Sequence, residues 1–188
     1  MGDFNGLILA GGKSSRMGQD KAKLLWGEET LLARGQRILK EIGAKQVFVS
    51  RNDGHPQHIA DVFVDKGPLS GIHAACDRKI TGPLLVLPVD LPLVTHEALK
   101  TLVCAGLNKQ TTCCYKDHNL PLFIYDPASL LKPLQDTLSR GCSYSVGRFF
   151  SRFPMLFLPL KSVHTLTNTN TPDQWQAIVK RNTLENML

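Results

Sequence analysis

Residues 4–21 read Phe4-Asn5-Gly6-Leu7-Ile8-Leu9-Ala10-Gly11-Gly12-Lys13-Ser14-Ser15-Arg16-Met17-Gly18-Gln19-Asp20-Lys21, and this stretch decides the fold. Phe4 to Leu9 reads as the first strand. The span from Gly11 to Gln19 is too rich in glycine and serine for helix or strand, so it reads as a loop. A loop at the carboxyl end of a central strand opens into the crevice where α/β folds take ligands. Glycines there let successive backbone N–H groups approach phosphate oxygens, and Lys13, Arg16 and Lys21 add positive charge. The expectation is an anion site; the alternative is a surface turn carrying solvated charges.

Working outward, short aliphatic runs alternate with longer amphipathic stretches. Thr30 to Ile42 predicts a helix, with Thr30 as cap, apolar Leu31, Leu32, Ile38, Leu39 and Ile42 at helical spacing, and Gly43 as stop. Gln46 to Val49 and Val62 to Val64 read as the second and third strands, and Ser70 to Arg78 as a helix. Leu84 to Leu87, fully apolar between Pro83 and Pro88, predicts a strand buried on both faces. His96 to Ala105 is the next helix. Then come strands at Thr111 to Tyr115 and Leu122 to Tyr125, helices at Ala128 to Ser139 and near Ser145 to Arg152, and a strand at Met155 to Leu158. Thr171-Pro172-Asp173-Gln174 starts the last helix with a cap hydroxyl, a first-turn proline and a reciprocal Gln. The pattern predicts an α/β fold: a single-domain, Rossmann-like three-layer sandwich with a mostly parallel central sheet, spanning residues 1–188. A nucleotide-binding half would occupy about residues 1–105 and an acceptor-binding half about 106–188.

Composition narrows the function classes. The 188 residues are 43% hydrophobic and 20% charged, as in ordinary globular chains. No apolar run approaches the roughly 18 residues that cross a bilayer, and the N-terminus has no signal-peptide pattern, so the expectation is a cytoplasmic protein with no membrane partner. The net charge of +6 favours anionic partners. Its Lys and Arg residues are scattered, without the basic block and interleaved aromatics of a single-strand binder, which argues against nucleic acid. The five cysteines include no Cys-x-x-Cys pair, and the six histidines form no metal set. Reduced thiols are expected, with Cys113-Cys114 packed in a strand, and His55, His58, His73, His96, His118 and His164 on the surface or in turns.

Two well-known glycine loops fail here. A phosphate-binding Walker loop needs a glycine where Leu7 stands, and the dinucleotide fingerprint needs a Gly-x-Gly-x-x-Gly spacing that Gly11, Gly12 and Gly18 do not supply. Asp90 stands just beyond the apolar Leu84 to Leu87 run, flanked by prolines, where its carboxylate would face the same crevice. Mg2+ takes oxygen ligands, often one or two carboxylates plus phosphates and water, so Asp90 is a candidate metal ligand. An Asp capping the following turn is the alternative.

The run from Leu9 to Lys21, Leu-Ala-Gly-Gly-x-Ser-x-Arg-Met-Gly-x-Asp-Lys, resembles the signature of the nucleotidyltransferases, and specifically of the molybdenum cofactor guanylyltransferases. The resemblance recurs in order at Gly67-Pro68-Leu69-Ser70-Gly71-Ile72, Pro88-Val89-Asp90-Leu91-Pro92, Leu120-Pro121-Leu122 and Asn168-Thr169-Asn170-Thr171-Pro172-Asp173, covering most of the chain. It implies Mg2+-dependent guanylyl transfer from GTP to the phosphate of the molybdenum-pterin cofactor, with release of pyrophosphate. By the same resemblance Leu9, Ala10, Gly11 and Gly12 seat the nucleotide and Arg16 and Lys21 hold the leaving pyrophosphate. Asp90 holds Mg2+, Asp65 ends the third strand within the nucleotide pocket, and Asn168 and Asn170 face the pterin. For Asp65 a plain turn role stays open, as does a turn-and-cap role for the asparagines. The chain departs from the family at Ser50-Arg51-Asn52, where an Asn contact is usual and either Ser50 or Asn52 would replace it. Molybdoenzyme-delivery proteins are possible partners. The rivals are a CTP-using or sugar- or alditol-phosphate enzyme and a non-catalytic GTP-binding module; Leu-Ala-Gly-Gly and Gly-Pro-Leu-x-Gly favour guanine over cytosine.

Overall fold

The structure is a computed structural model that describes residues 3–12, 18–140 and 145–185. Its strands are β1 (Asn5–Leu9), β2 (Leu25–Trp26), β3 (Glu29–Thr30), β4 (Val47–Ser50), β5 (His58–Ile59), β6 (Leu84–Pro88), β7 (Thr112–Tyr115), β8 (Leu122–Ile124) and β9 (Met155–Leu158). The helices are α1 (Leu31–Glu41), α2 (Pro68–Asp77), α3 (His96–Lys109), α4 (Leu131–Ser139), α5 (Val146–Phe150) and α6 (Pro172–Glu185). Seven strands form one sheet in the order β5-β4-β1-β6-β8-β7-β9. All neighbours run parallel except β8, which is antiparallel to both β6 and β7. This is the mostly parallel sheet that the alternating pattern predicts, and it draws strands from both halves of the chain.

Strand alternation sends successive side chains to opposite faces, and with helices on both faces each set is buried. Ile8, Leu85, Leu87, Cys113 and Phe123 pack with Ile38 and Leu39 of α1 and with Leu99, Leu102 and Val103 of α3. Leu7, Leu9, Leu84, Val86, Cys114 and Leu122 pack on the other face with Leu69 and Ile72 of α2, Leu134 of α4 and Phe149 of α5. Cys113 and Cys114 thus enter opposite cores, and burial pushes their thiols up to about 12 and about 11. They are packing residues. No helix among the described residues is long and apolar enough to cross a membrane.

The caps follow the sequence. The Thr30 hydroxyl accepts from the Ala33 N–H at 3.1 Å, and that of Thr95 from Ala98 at 3.2 Å. At α6, Gln174 N–H donates to the Thr171 hydroxyl at 3.3 Å, while Gln174 Oε1 accepts from the Thr171 N–H at 3.2 Å. The cap and its reciprocal glutamine are both formed.

Two expectations change. The third strand is His58–Ile59, paired with Val49 and Ser50, and not Val62 to Val64. Val62 and Val64 are 58% and 64% exposed. Strand propensity in Val62-Phe63-Val64 loses because β4 has already paired with His58 and Ile59, and the Asp61 N–H is taken by Asn52 Oδ1 at 2.7 Å. Phe63 alone turns inward. His73 is the second change: it is buried in α2, its ring edge-on to Phe63 at 4.9 Å, and burial lowers its pKa. The segment before α1, to which the sequence pattern assigns no element, folds into the β2–β3 hairpin.

Candidate active site

The carboxyl ends of β4, β1 and β6 lie side by side and are tied together. Ala10 N–H donates to Ser50 O at 3.0 Å, and Val89 N–H donates to Leu9 O at 3.1 Å. Above these tips opens a cleft of about 1140 Å³. Leu9, Ala10, Gly11 and Gly12 line its floor, and Asn119, Ser145 and Asn168 line its far side. Gly12 has φ +134°, which side-chain-bearing residues rarely adopt. Gly71 of α2 approaches so closely that a Cβ there would sit 2.4 Å from Ser50 Oγ.

After the glycine loop, Asp20 caps a single 3-10 turn, Lys21–Lys23, by accepting from the Ala22 N–H at 3.1 Å. That turn points Lys21 into the cleft. Its Nζ donates to Asp90 Oδ2 at 3.2 Å and to Asn170 Oδ1 at 2.7 Å. The Lys21 and Asp90 side chains are 15% and 21% exposed, so the pair is sheltered yet open to a ligand. Asp90 also holds the segment before α6 by its backbone: its carbonyl accepts from the N–H of Thr169, a fully buried residue, at 3.2 Å.

A second polar cluster stands beside β4. Ser50 Oγ donates to Asp61 Oδ1 at 3.4 Å, and Asn52 Nδ2 donates to Asp61 Oδ2 at 2.9 Å. Burial holds the Asp61 carboxyl above the usual aspartate range, against the hydrogen bonds from Asn52 and Ser50. Among the described residues no group of three or more His, Cys, Asp or Glu side chains could hold a metal ion. Asp90 lines the cleft and is the carboxylate that the sequence offers to a divalent ion, whose remaining positions phosphate oxygens and water would fill. That is how Mg2+ commonly binds beside a triphosphate.

The pattern of the MobA-like NTP transferase domain matches residues 6–152, well over half of the chain. The chain belongs to the MobA-like NTP transferases. It is similar to a molybdenum cofactor guanylyltransferase of Xanthomonas euvesicatoria pv. vesicatoria, with 32% identity over 95% of this chain and 96% of that one. A probable molybdenum cofactor guanylyltransferase of Pelotomaculum thermopropionicum is 35% identical over 89% of this chain and 87% of its own length. In fold it resembles the crystal structure of molybdopterin-guanine dinucleotide biosynthesis protein A from Archaeoglobus fulgidus, with TM-score 0.76, 21% identity and coverage of 95% and 98%.

In this MobA-like chain the residues read from the sequence fall as follows. Leu9, Ala10, Gly11, Gly12, Lys21, Asp65, Asp90 and Asn168 all line the one cleft, and Asn170 joins it through Lys21. Arg16 lies outside the described residues. Asp65 does not end a strand: it sits in the turn before α2 with φ +60°, because the third strand closes six residues earlier. Asn170 takes the cap role, its N–H donating to Gln174 Oε1 at 2.8 Å within the α6 cap, while its side chain meets Lys21. Ser50 and Asn52 both serve Asp61. Asp61 itself was missed; with the third strand placed at His58–Ile59, a carboxylate two residues past its tip would have drawn notice.

Proposed function

We propose that this MobA-like enzyme transfers the guanylyl group of GTP to the terminal phosphate of the molybdenum-pterin cofactor, with Mg2+, giving the guanine dinucleotide and pyrophosphate. The observation that carries it is Lys21 Nζ, bonded at once to Asp90 and to Asn170, so that one cation joins the nucleotide side to the acceptor side. The names of the relatives supply the reaction. In the transfer an oxygen of the pterin phosphate attacks the α-phosphorus, a new P–O bond forms, and the bond to the β-phosphate oxygen breaks. Both partners are anions, so the barrier falls chiefly by alignment and charge neutralisation and not by a general base.

Each half of the chain then has a task. Residues 1–105 hold GTP: the backbone of Leu9 to Gly12 seats base and phosphates, and Asp61 with Ser50 and Asn52 lines the same floor and offers carboxylate oxygens to N–H donors of the base. Residues 106–188 hold the acceptor, with Asn168 and Asn170 giving amide donors and acceptors to a pterin edge. Bound Mg2+ would supply positive charge against that of the phosphates. Asp90 is the residue that would hold it, and Lys21, released from Asp90, then meets the leaving pyrophosphate. The test is incubation with GTP, Mg2+ and molybdenum-loaded pterin, reading dinucleotide by mass and pyrophosphate by coupled assay. Product with CTP in place of GTP would overturn the guanine assignment, and GTP binding without pyrophosphate release would reduce the protein to a binding module.

A further inference from the structure

Arg51 stands just past the tip of β4, and it is spoken for on every side. One guanidinium edge meets Asp20 bidentately, with Nη1 to Oδ1 at 3.3 Å and Nη2 bonded to Oδ2. Its Nε donates to Asp53 Oδ2 at 2.7 Å, and its own N–H donates to Ile59 O at 2.9 Å. Asp53 is held in turn by His58 Nδ1 at 2.8 Å and by the His55 N–H at 3.2 Å. The Arg51 side chain is 11% exposed. Two carboxylates outweigh one guanidinium, so Arg51 offers a triphosphate no net positive charge although it lines the cleft.

What Arg51 does hold is Asp20, the residue whose Oδ1 caps the turn carrying Lys21. An Asp free to rotate would cap that turn only part of the time. A forked guanidinium fixes both carboxylate oxygens and hence the plane of the group. The chain of contacts runs from Asp53 through Arg51 and Asp20 to the Ala22 N–H, and from that turn through Lys21 to Asp90 and Asn170. We propose that Arg51 is a positioning residue for guanylyl transfer: through Asp20 it locks the turn that aims Lys21 at the leaving group.

The inference rests on the transfer reaction proposed above, and its test separates the two. Rates of pyrophosphate release are compared for the wild type, Arg51→Ala, Lys21→Ala and the double variant, with amide hydrogen exchange at Ala22 followed on the ligand-free protein. If Lys21 supplies about 10²-fold in rate, a poorly aimed Lys21 loses about 10-fold in kcat with KM for GTP within about twofold. In the Lys21→Ala background Arg51→Ala then slows the reaction no further, because there is nothing left to aim. Asp20→Asn, which keeps a cap oxygen but weakens the fork, reproduces the kcat loss if Arg51→Ala folds poorly. Ala22 exchanges at least about 10-fold faster in Arg51→Ala, the fixed cap being its protection. Multiplying effects in the double variant, a rise in KM alone, or unchanged Ala22 exchange would each overturn the role of Arg51. A wild type that transfers nothing would sink the reaction, while the Ala22 exchange would still judge the lock.

Discussion

Gly71→Ala is the substitution whose outcome follows most directly from the geometry. Alanine in a helix interior ordinarily gains about 0.5–1 kcal/mol over glycine, so propensity alone favours the variant. Here, however, the new methyl would stand 2.4 Å from Ser50 Oγ, 2.7 Å from Leu9 Cδ2 and 3.1 Å from Ser50 Cβ. Both neighbours are buried, at 2% and 8% exposed, so neither has solvent to move into. Contacts this short fall in the upper part of the overpacking range, about 2–3 kcal/mol, which leaves a net loss of about 1–2.5 kcal/mol and a Tm lower by about 2–10 °C for a chain of this size. The damage is directional as well. Ser50 supplies the carbonyl that fixes Ala10 and the hydroxyl that holds Asp61, so displacing it disturbs the floor on which GTP would rest. Thermal denaturation with and without GTP and Mg2+ reads both effects, with the stabilisation by nucleotide reduced in the variant. A Tm equal to or above that of the wild type, with full stabilisation by GTP, would refute the reasoning.

Asp90→Asn keeps the shape and removes the charge that would hold Mg2+; kcat for pyrophosphate release is expected to fall roughly 10²-fold while the circular dichroism stays that of the wild type. Chelation of the metal from the wild-type enzyme is expected to abolish release, and added Mg2+ to restore it. The hydrogen bond from His58, with those from the His55 N–H and from Arg51, lowers the Asp53 carboxyl to about 2. A lowered carboxylate contributes stability above its unfolded pKa and loses it as pH falls through the folded one, so the Tm deficit of Asp53→Asn should be present at pH 5 and vanish toward pH 2. Of the four described cysteines only Cys104 is exposed, and burial pushes Cys76, Cys113 and Cys114 up to about 12, 12 and 11. Peptide mass mapping after iodoacetamide at pH 8 should find Cys104 alkylated in the folded protein and these three only after unfolding.

Local signals were legible where they were strong. The buried run Leu84 to Leu87, the Thr30 cap and the paired Thr171 and Gln174 contacts each depend on residues within one element, and each formed as read. β5 was not legible, because two residues are too few for any period, and the apolar Val62-Phe63-Val64 beside it offered a better pattern in the wrong place. With that shift went Asp61, whose burial and partners depend on β4 and not on its own neighbours. The Arg51–Asp20 pair joins positions 31 apart, and neither residue shows in its local sequence that it will meet the other.

Lys21, Asp90 and Asn170 came from three separate motifs, and the sheet explains why they meet. β1 pairs with β6 in parallel, with Leu9 opposite Pro88, so whatever follows the two strands must emerge at the same end and about one strand spacing apart. Lys21 returns to that end on its capped turn, and Asp90 stands two residues past the register. Asn170 is 149 residues from Lys21 and belongs to no strand, so the sheet alone cannot place it. What places it is the Asp90 carbonyl, which accepts from Thr169, the residue before Asn170. Asp90 therefore fixes the segment that carries Asn170 with its backbone and Lys21 with its carboxylate. Asp90→Asn should thus reduce catalysis while leaving the Thr169 contact and the position of Asn170 intact, whereas a proline at residue 169 would remove the donor and release the acceptor segment from an otherwise complete nucleotide site.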